Sequence, residues 1–272
     1  VGLLARTFVV ILLLGSGAAL ALPEFDREQA LAESQAAIGR TVSDQMFYTT
    51  DGRVRRLAEY TGKPLVVSLI FTSCPHICPT TTQHLAKVVR KARKALGDDS
   101  FRVVTIGFDA ARDTADRMRT FARQQNVAID GWEFLAADAQ TIEVLTRELG
   151  FQFYPSGGSF DHLIQSTIID AKGVIFRQVY GIEFDTPHLI EPLKVLVFGK
   201  GSSQSLIDQI TARVLLFCTV YDPASDSYKF SYSIVVGLFV GLLIGAIFVV
   251  LLAREWRHRR LELERAAIGG GS

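Results

Sequence analysis

Cysteine is scarce, three in 272 residues, and that scarcity limits what the thiols can do. A structural zinc site takes four ligands, typically as two close Cys/His pairs. Beyond Cys74 and Cys78 no second pair of suitable spacing exists, so structural zinc is disfavoured. A disulfide-built scaffold is disfavoured too, because a bridge between Cys74 and Cys78 encloses three residues and constrains little chain. Net charge is nearly absent: 29 Lys and Arg stand against 28 Asp and Glu. Without a large basic field the chain carries no footprint for nucleic acid. No internal repeat marks it as an array.

Charge is also missing locally, and here the absence is informative. No charged residue stands between Lys229 and Arg254, a run of 24 positions. As a helix it would reach about 36 Å, enough for a ~30 Å hydrocarbon core with some tilt. Arg254, Arg257, Arg259 and Arg260 follow at once, which places the C-terminus in the cytoplasm and the preceding chain outside. Near the start, Arg6 precedes the uncharged run Thr7–Pro23, with an apolar centre at Phe8–Leu14 and small residues at Ala19-Leu20-Ala21. That pattern reads as a cleaved secretory signal over 1–22, with an uncleaved anchor as the alternative. The expected organisation is a lead-in (23–40), a folded domain (41–198), a linker with a membrane-proximal amphipathic segment (199–230), a transmembrane helix (231–253) and a basic cytoplasmic tail (254–272). Within the helix Gly237, Gly241 and Gly245 line one face, either to admit a partner helix or because glycine is common in membrane helices.

The body predicts an α/β domain. Asp51-Gly52 marks a hairpin turn. The apolar branched runs Pro64–Phe71 and Arg102–Phe108 read as buried strands. Helical spacing covers Pro79–Leu96, Thr114–Gln125, Ala139–Leu149 and Pro187–Val197, with short strands at Glu133–Ala136, Gln165–Ile169 and Val174–Tyr180. Strand–helix alternation followed by a hairpin and a helix is the order of a thioredoxin-like domain.

The chemistry-bearing stretch is Phe71-Thr72-Ser73-Cys74-Pro75-His76-Ile77-Cys78-Pro79, at the end of a buried strand. Cys78 just ahead of a helix start is placed for thiolate stabilisation by the helix dipole and free amides. Three residues separate the cysteines where thioredoxin-type enzymes have two. The wider loop lets both sulfurs face one ligand. Two thiolates plus a neutral imidazole would favour Cu(I), and the same thiols could switch between metal-bound, reduced and disulfide states. Five histidines are available. His76 lies between the cysteines, His84 further into the helix, His188 at the start of the last helix and His258 in the cytoplasmic tail. His162 follows the flexible-looking loop Gly157–Asp161 and leads into a hairpin strand. Cys218 reads as a small buried hydrophobe, with pairing between chains or copper shuttling as the alternative. Asp113 is placed to cap the helix from Thr114, and Asp109 ends a strand on the edge where ligands bind in open α/β sheets.

Three stretches in order complete the picture: Cys74-Pro75-His76-Ile77-Cys78-Pro79-Thr80, then Asp109-Ala110-Ala111-Arg112-Asp113-Thr114, then Asp161-His162 eleven residues before the turn Gly173. Over about Thr41–Val197 the sequence resembles the Sco/SenC family of membrane-anchored, thioredoxin-like copper proteins that serve cytochrome c oxidase assembly. The resemblance implies copper ligation by Cys74, Cys78 and His162, with Asp109 near the copper in a supporting or docking role. Ala110 stands where the family usually has proline, which puts the order of the Asp109 loop in question; the C-terminal anchor is a second departure. The first functional expectation is a periplasm-facing inner-membrane metallochaperone that binds Cu(I), with Cu(II) left open. It would deliver copper to the copper-bearing subunit of a respiratory terminal oxidase. The second is a thiol–disulfide oxidoreductase that reduces that subunit's copper-ligand cysteines through Cys74 and Cys78. A peroxidase is the third.

Overall fold

The computed structural model describes residues 25–199, 219–222, 227–230 and 233–269. The expected signal segment 1–22, most of the linker and membrane-proximal segment, and Cys218 lie outside the described residues. By internal packing the chain divides into two compact units. One holds the chain through His84 together with Arg102–Phe184, and the other holds Leu85–Phe101 and the chain from Asp185 onward.

The first unit is built on a seven-stranded mixed sheet. Its strands are β1 (Met46–Thr49), β2 (Val54–Arg56), β3 (Leu65–Ile70), β4 (Arg102–Gly107), β5 (Trp132–Ala136), β8 (Gln165–Ile169) and β9 (Ile175–Tyr180), in the order β2-β1-β5-β4-β3-β8-β9. All six residues of β3 are buried. It runs parallel to β4 with Val66 opposite Val103, and antiparallel to β8 with Val66 opposite Ile168. A strand covered on both faces needs apolar residues at every position, and Leu-Val-Val-Ser-Leu-Ile supplies five of six. The β8–β9 hairpin and the β1–β2 hairpin with its Asp51-Gly52 turn form as the sequence predicts.

The helices are α1 (Arg27–Ala36), α2 (Ile77–Leu96), α3 (Ala115–Gln124), α4 (Ala139–Leu149), α5 (Thr186–Phe198) and α6 (Ser233–Gly269). Asp138 caps α4 by accepting from Thr141 N at 2.7 Å, a contact worth about 1 kcal/mol. Three features differ from the sequence reading. The lead-in contains α1, a helix whose only buried residues are Ala30 and Ser34, so no apolar stripe announces it. Residues 157–161 are not a loose loop. They belong to a second, two-stranded sheet made by β6 (Phe153–Ser156) and β7 (Ser159–His162), with Ser156 opposite Ser159. Its two-residue turn, Gly157-Gly158, has φ of 54° and 83°, the doubly left-handed pair that glycine adopts without steric cost. Third, β10 (Thr219–Asp222) and β11 (Ser227–Phe230) form an antiparallel hairpin within the expected linker.

In the second unit, α6 is one helix of 37 residues, about 55 Å long. It carries the charge-free run ending at Arg254, and described apolar side chains on it, such as Phe239, Leu242 and Phe248, are exposed. Among the described residues no helix is long and apolar enough to cross a membrane.

Candidate metal centre

The centre starts from the exit of β3. Phe108 N donates to Ile70 O at 2.8 Å, carrying the β3–β4 ladder one step past the strands. Phe71 therefore leaves the sheet in a fixed direction. The chain then turns, with Cys74 N donating to Phe71 O at 3.1 Å. Helix α2 begins at Ile77, so Cys78 lies inside its first turn and not ahead of it. This corrects the assignment of the dipole-stabilised thiolate. The free amides of the helix start point at Cys74, whose Sγ accepts from Cys78 N at 3.3 Å.

Both thiols are free and buried, Cys74 at 8% and Cys78 at 3% exposure. Their acidities split. The Cys78 thiol donates to Cys74 Sγ, and the backbone amides of Cys78, His76 and Ile77 add to it, so Cys74 is lowered to about 5 against the cost of burial. Cys78 is pushed up, first because its proton is held by Cys74 and then by burial. Near neutral pH the pair is thus one thiolate and one thiol sharing a proton.

His162 arrives at the same corner at the end of β7. Its ring lies among aromatic side chains, with centroids 5.2 Å from Phe151, 5.3 Å from Phe108 and 6.1 Å from Phe71. Phe160 lies 5.2 Å from Phe71, so the hairpin is packed against the residue that precedes the cysteine loop. Nδ1 of His162 lies 2.7 Å from Leu163 O. A carbonyl can only accept, so Nδ1 carries the hydrogen and Nε2 is left with a lone pair. Burial lowers the imidazole pKa, while the Leu163 carbonyl and the Cys74 charge oppose this. The ring is neutral, and Cys74 is within electrostatic reach of it.

Asp113 does not cap α3. Thr114 does, its side chain accepting from Arg117 N at 3.4 Å. The Asp113 carboxylate turns inward at 1% exposure. Its Oδ1 accepts from Thr72 N at 2.8 Å and Thr72 Oγ1 at 2.7 Å, and its Oδ2 accepts from Asp109 N at 2.9 Å. Burial pushes this carboxyl up against the pull of those donors. Arg112 N and Asp113 N both donate to Asp109 O, at 2.8 and 2.7 Å, so the loop is closed by hydrogen bonds and stays ordered with Ala110 in place of proline. Asp109 is nearly buried, with Arg112 Nη1 3.6 Å from its Oδ2.

The remaining histidines are elsewhere employed. His76 and His188 are exposed. His84 Nε2 lies 2.8 Å from Phe184 O, with the two rings edge-to-face at 4.8 Å, which is a packing role. Among the described residues no three His, Cys, Asp or Glu side chains stand close enough to hold a metal ion together. The structure brings Cys74 and Cys78 into contact and His162 to the same corner without closing the three on one point. As donors they nevertheless suit a soft cation: one thiolate, a second sulfur, and an imidazole whose lone pair is free.

Residues 33–197 match the family model described as SCO1/SenC. The chain belongs to the SCO1/SenC family. A Bacillus subtilis (strain 168) SCO1 protein homolog is 27% identical over 146 residues, 52% of this chain and 74% of that protein. The mitochondrial SCO2 homolog of Bos taurus is 32% identical over 165 residues, 59% of each chain. Among solved structures, a SCO1/SenC family lipoprotein from Bacillus anthracis str. Ames superposes with TM-score 0.53 at 22% identity, covering 58% of this chain and 95% of that one. Arabidopsis thaliana ScoI, solved with copper bound, gives TM-score 0.49 at 21% identity over 57% and 94% of the two chains. The fold is the mixed α/β, thioredoxin-like fold of that family.

Residue-level reading missed two parts of the centre. One is the Asp113–Thr72 tie, because an aspartate beside a helix start reads as a cap. The other is the aromatic surround of His162, whose members Phe71, Phe108 and Phe151 come from separate parts of the chain.

Proposed function

We propose that this chain is a membrane-held copper metallochaperone that takes Cu(I) through Cys74, Cys78 and His162 and passes it to the copper-bearing subunit of a respiratory terminal oxidase. The observation that carries this reading is the His162 tautomer. Its Nδ1–H is committed to Leu163 O, so a neutral nitrogen donor is presented beside a stabilised thiolate. Three protein ligands leave an open side, and cargo can then be exchanged ligand by ligand onto a recipient's cysteines and histidines. Asp109 and Arg112, at the edge of the same corner, are the groups we assign to docking. Cu(II) would be held by the same three donors.

Membrane attachment is part of the proposal. We assign 231–253, all but its first two residues in α6, as the span, with the copper domain on the periplasmic side of the inner membrane and the C-terminus cytoplasmic. The charge-free run and the arginines after it support this orientation. A Cβ at Gly237, Gly241 or Gly245 would meet nothing within 4 Å, which leaves that face open to a helix of the oxidase.

A second reading is supported by the unequal thiols. Cys74 as the thiolate and Cys78 as the protonated partner are the attacking and resolving members of a dithiol reductant, which would keep the recipient's cysteines reduced. Anaerobic Cu(I) titration of the purified full chain, wild type against His162→Ala, separates the two, with X-ray absorption counting sulfur and nitrogen ligands. We expect two sulfurs and one nitrogen in the wild type and weakened binding in the variant. Unchanged Cu(I) binding by His162→Ala would refute the ligand assignment. Loss of oxidase maturation by that variant with intact dithiol activity would refute the reductase reading.

A further inference from the structure

We infer that Asp113 is a positioning residue for the thiol pair, fixing the cysteine loop through Thr72 so that Cys74 Sγ stays on the amides of the α2 start. This rests on the reading of Cys74 and Cys78 as the working pair but not on the metal.

The argument is geometric. Thr72 is two residues before Cys74 and is the last residue of the loop held from outside it. Both its backbone N–H and its hydroxyl point to one Asp113 oxygen, at 2.8 and 2.7 Å. The other oxygen holds Asp109 N at 2.9 Å, so one carboxylate ties together the loops that follow β3 and β4. Three donors converge on it, and an amide in its place would turn an NH2 group toward at least one of them. Its seat is prepared by Gly107, the last residue of β4. A Cβ there would overlap Asp113 Cβ and lie 2.9 Å from its Cγ and from Met118 Sδ. With Thr72 fixed, the turn closed by Cys74 N on Phe71 O sets the 3.3 Å contact between Cys78 N and Cys74 Sγ. An amide donor stabilises a thiolate sulfur more than a neutral disulfide sulfur. Tightening the loop therefore favours the reduced pair, and loosening it favours the oxidised one.

Equilibration with glutathione tests this directly. The Cys74 thiolate attacks one sulfur of glutathione disulfide, the glutathione S–S bond breaks and one glutathione thiolate leaves. Cys78 gives its proton to solvent, its sulfur attacks Cys74 Sγ, and the second glutathione thiolate is expelled. Two electrons pass from the pair to glutathione. The full chain in detergent is held in buffers of graded glutathione ratio, and the oxidised fraction at Cys74–Cys78 is read by differential alkylation and mass spectrometry. Thermal unfolding is measured on the same samples. Asp113→Asn and Thr72→Val are each expected to move the exchange constant about tenfold toward the disulfide, some 30 mV more negative, while Thr72→Ser keeps the wild-type value. If Asp113→Asn does not fold, Thr72→Val and Gly107→Ala carry the test, with the same direction expected. A destabilised fold with an unmoved potential would make Asp113 structural only and overturn the inference. So would a positive shift in Asp113→Asn with Thr72→Val unchanged, since that is the signature of removing a charge and nothing else. Neither result bears on whether His162 binds copper.

Discussion

At the scale of single residues, the centre works through unequal neighbours. Cys74 and Cys78 are the same side chain four positions apart, yet one is lowered to about 5 and the other is pushed up, because Cys74 holds the Cys78 proton, with the helix-start amides adding to Cys74 and burial to Cys78. At pH 6.5 iodoacetamide is therefore expected to label Cys74 and leave Cys78 untouched, as peptide mass spectrometry would report. The pH dependence of stability follows with a definite sign. A thiol lowered in the folded state contributes stability that is present above its unfolded value, near 9, and is lost as pH falls toward 5. Cys78, raised in the folded state, adds the opposite dependence above about 9. The reduced chain should thus show a Tm that climbs from pH 5 to about 8 and declines beyond 9, and blocking Cys74 should flatten the climb. Phe108 is the other decisive residue, 1% exposed and in ring contact with Phe71, Phe151, Phe153, Phe160 and His162. Phe108→Ala is expected to cost about 3–5 kcal/mol in urea unfolding. It should also weaken Cu(I) binding, since the imidazole loses the wall that orients it.

At the scale of elements, the β6–β7 hairpin matters most. Its turn needs two residues at positive φ. Gly157→Ala or Gly158→Ala should each cost about 1 kcal/mol, with faster amide exchange confined to 153–162 as the measurable sign. This hairpin also shows where sequence is legible and where it is not. Strand β3 can be read because burial on both faces selects apolar residues at five of its six positions. In β4 and β8 only Val103, Val104 and Ile106, and Ile168 and Ile169, carry that signal. Helices α2 and α4 can be read because one apolar stripe faces inward, and α4 ends where its periodicity does, at Leu149. The hairpin is short and carries Pro155, which argues against a strand, and its Gly-Gly turn reads equally well as slack. Helix α1 carries its apolar residues as the consecutive run Ala30-Leu31-Ala32 and at Ala36, not as a stripe at helical spacing, so periodicity cannot find it. Within the candidate centre, the cysteines stand out because thiols are rare in this chain, and His162, one of five histidines, through the resemblance of Asp161-His162. Asp113 is not, since capping and clamping use the same carboxylate and only the third dimension separates them.

At the scale of the whole molecule, attachment to the membrane is the point to settle. Full-length chain is expected to stay with membranes through alkaline carbonate extraction, whereas a chain ending at residue 199 should move to the soluble fraction. Recovery of the full chain in the soluble fraction would remove the proposed span. The architecture of the copper domain has one more consequence. The sulfurs sit on the turn that leaves β3, a strand bonded on both sides within a seven-stranded sheet, and on the first turn of α2, whereas the imidazole rides on a sheet of two strands. One half of the donor set is thus stiff and the other pliant. A cargo ion leaving such a site has a built-in order of release, nitrogen first and sulfur afterwards, so a recipient need only outcompete the donor that gives way most easily.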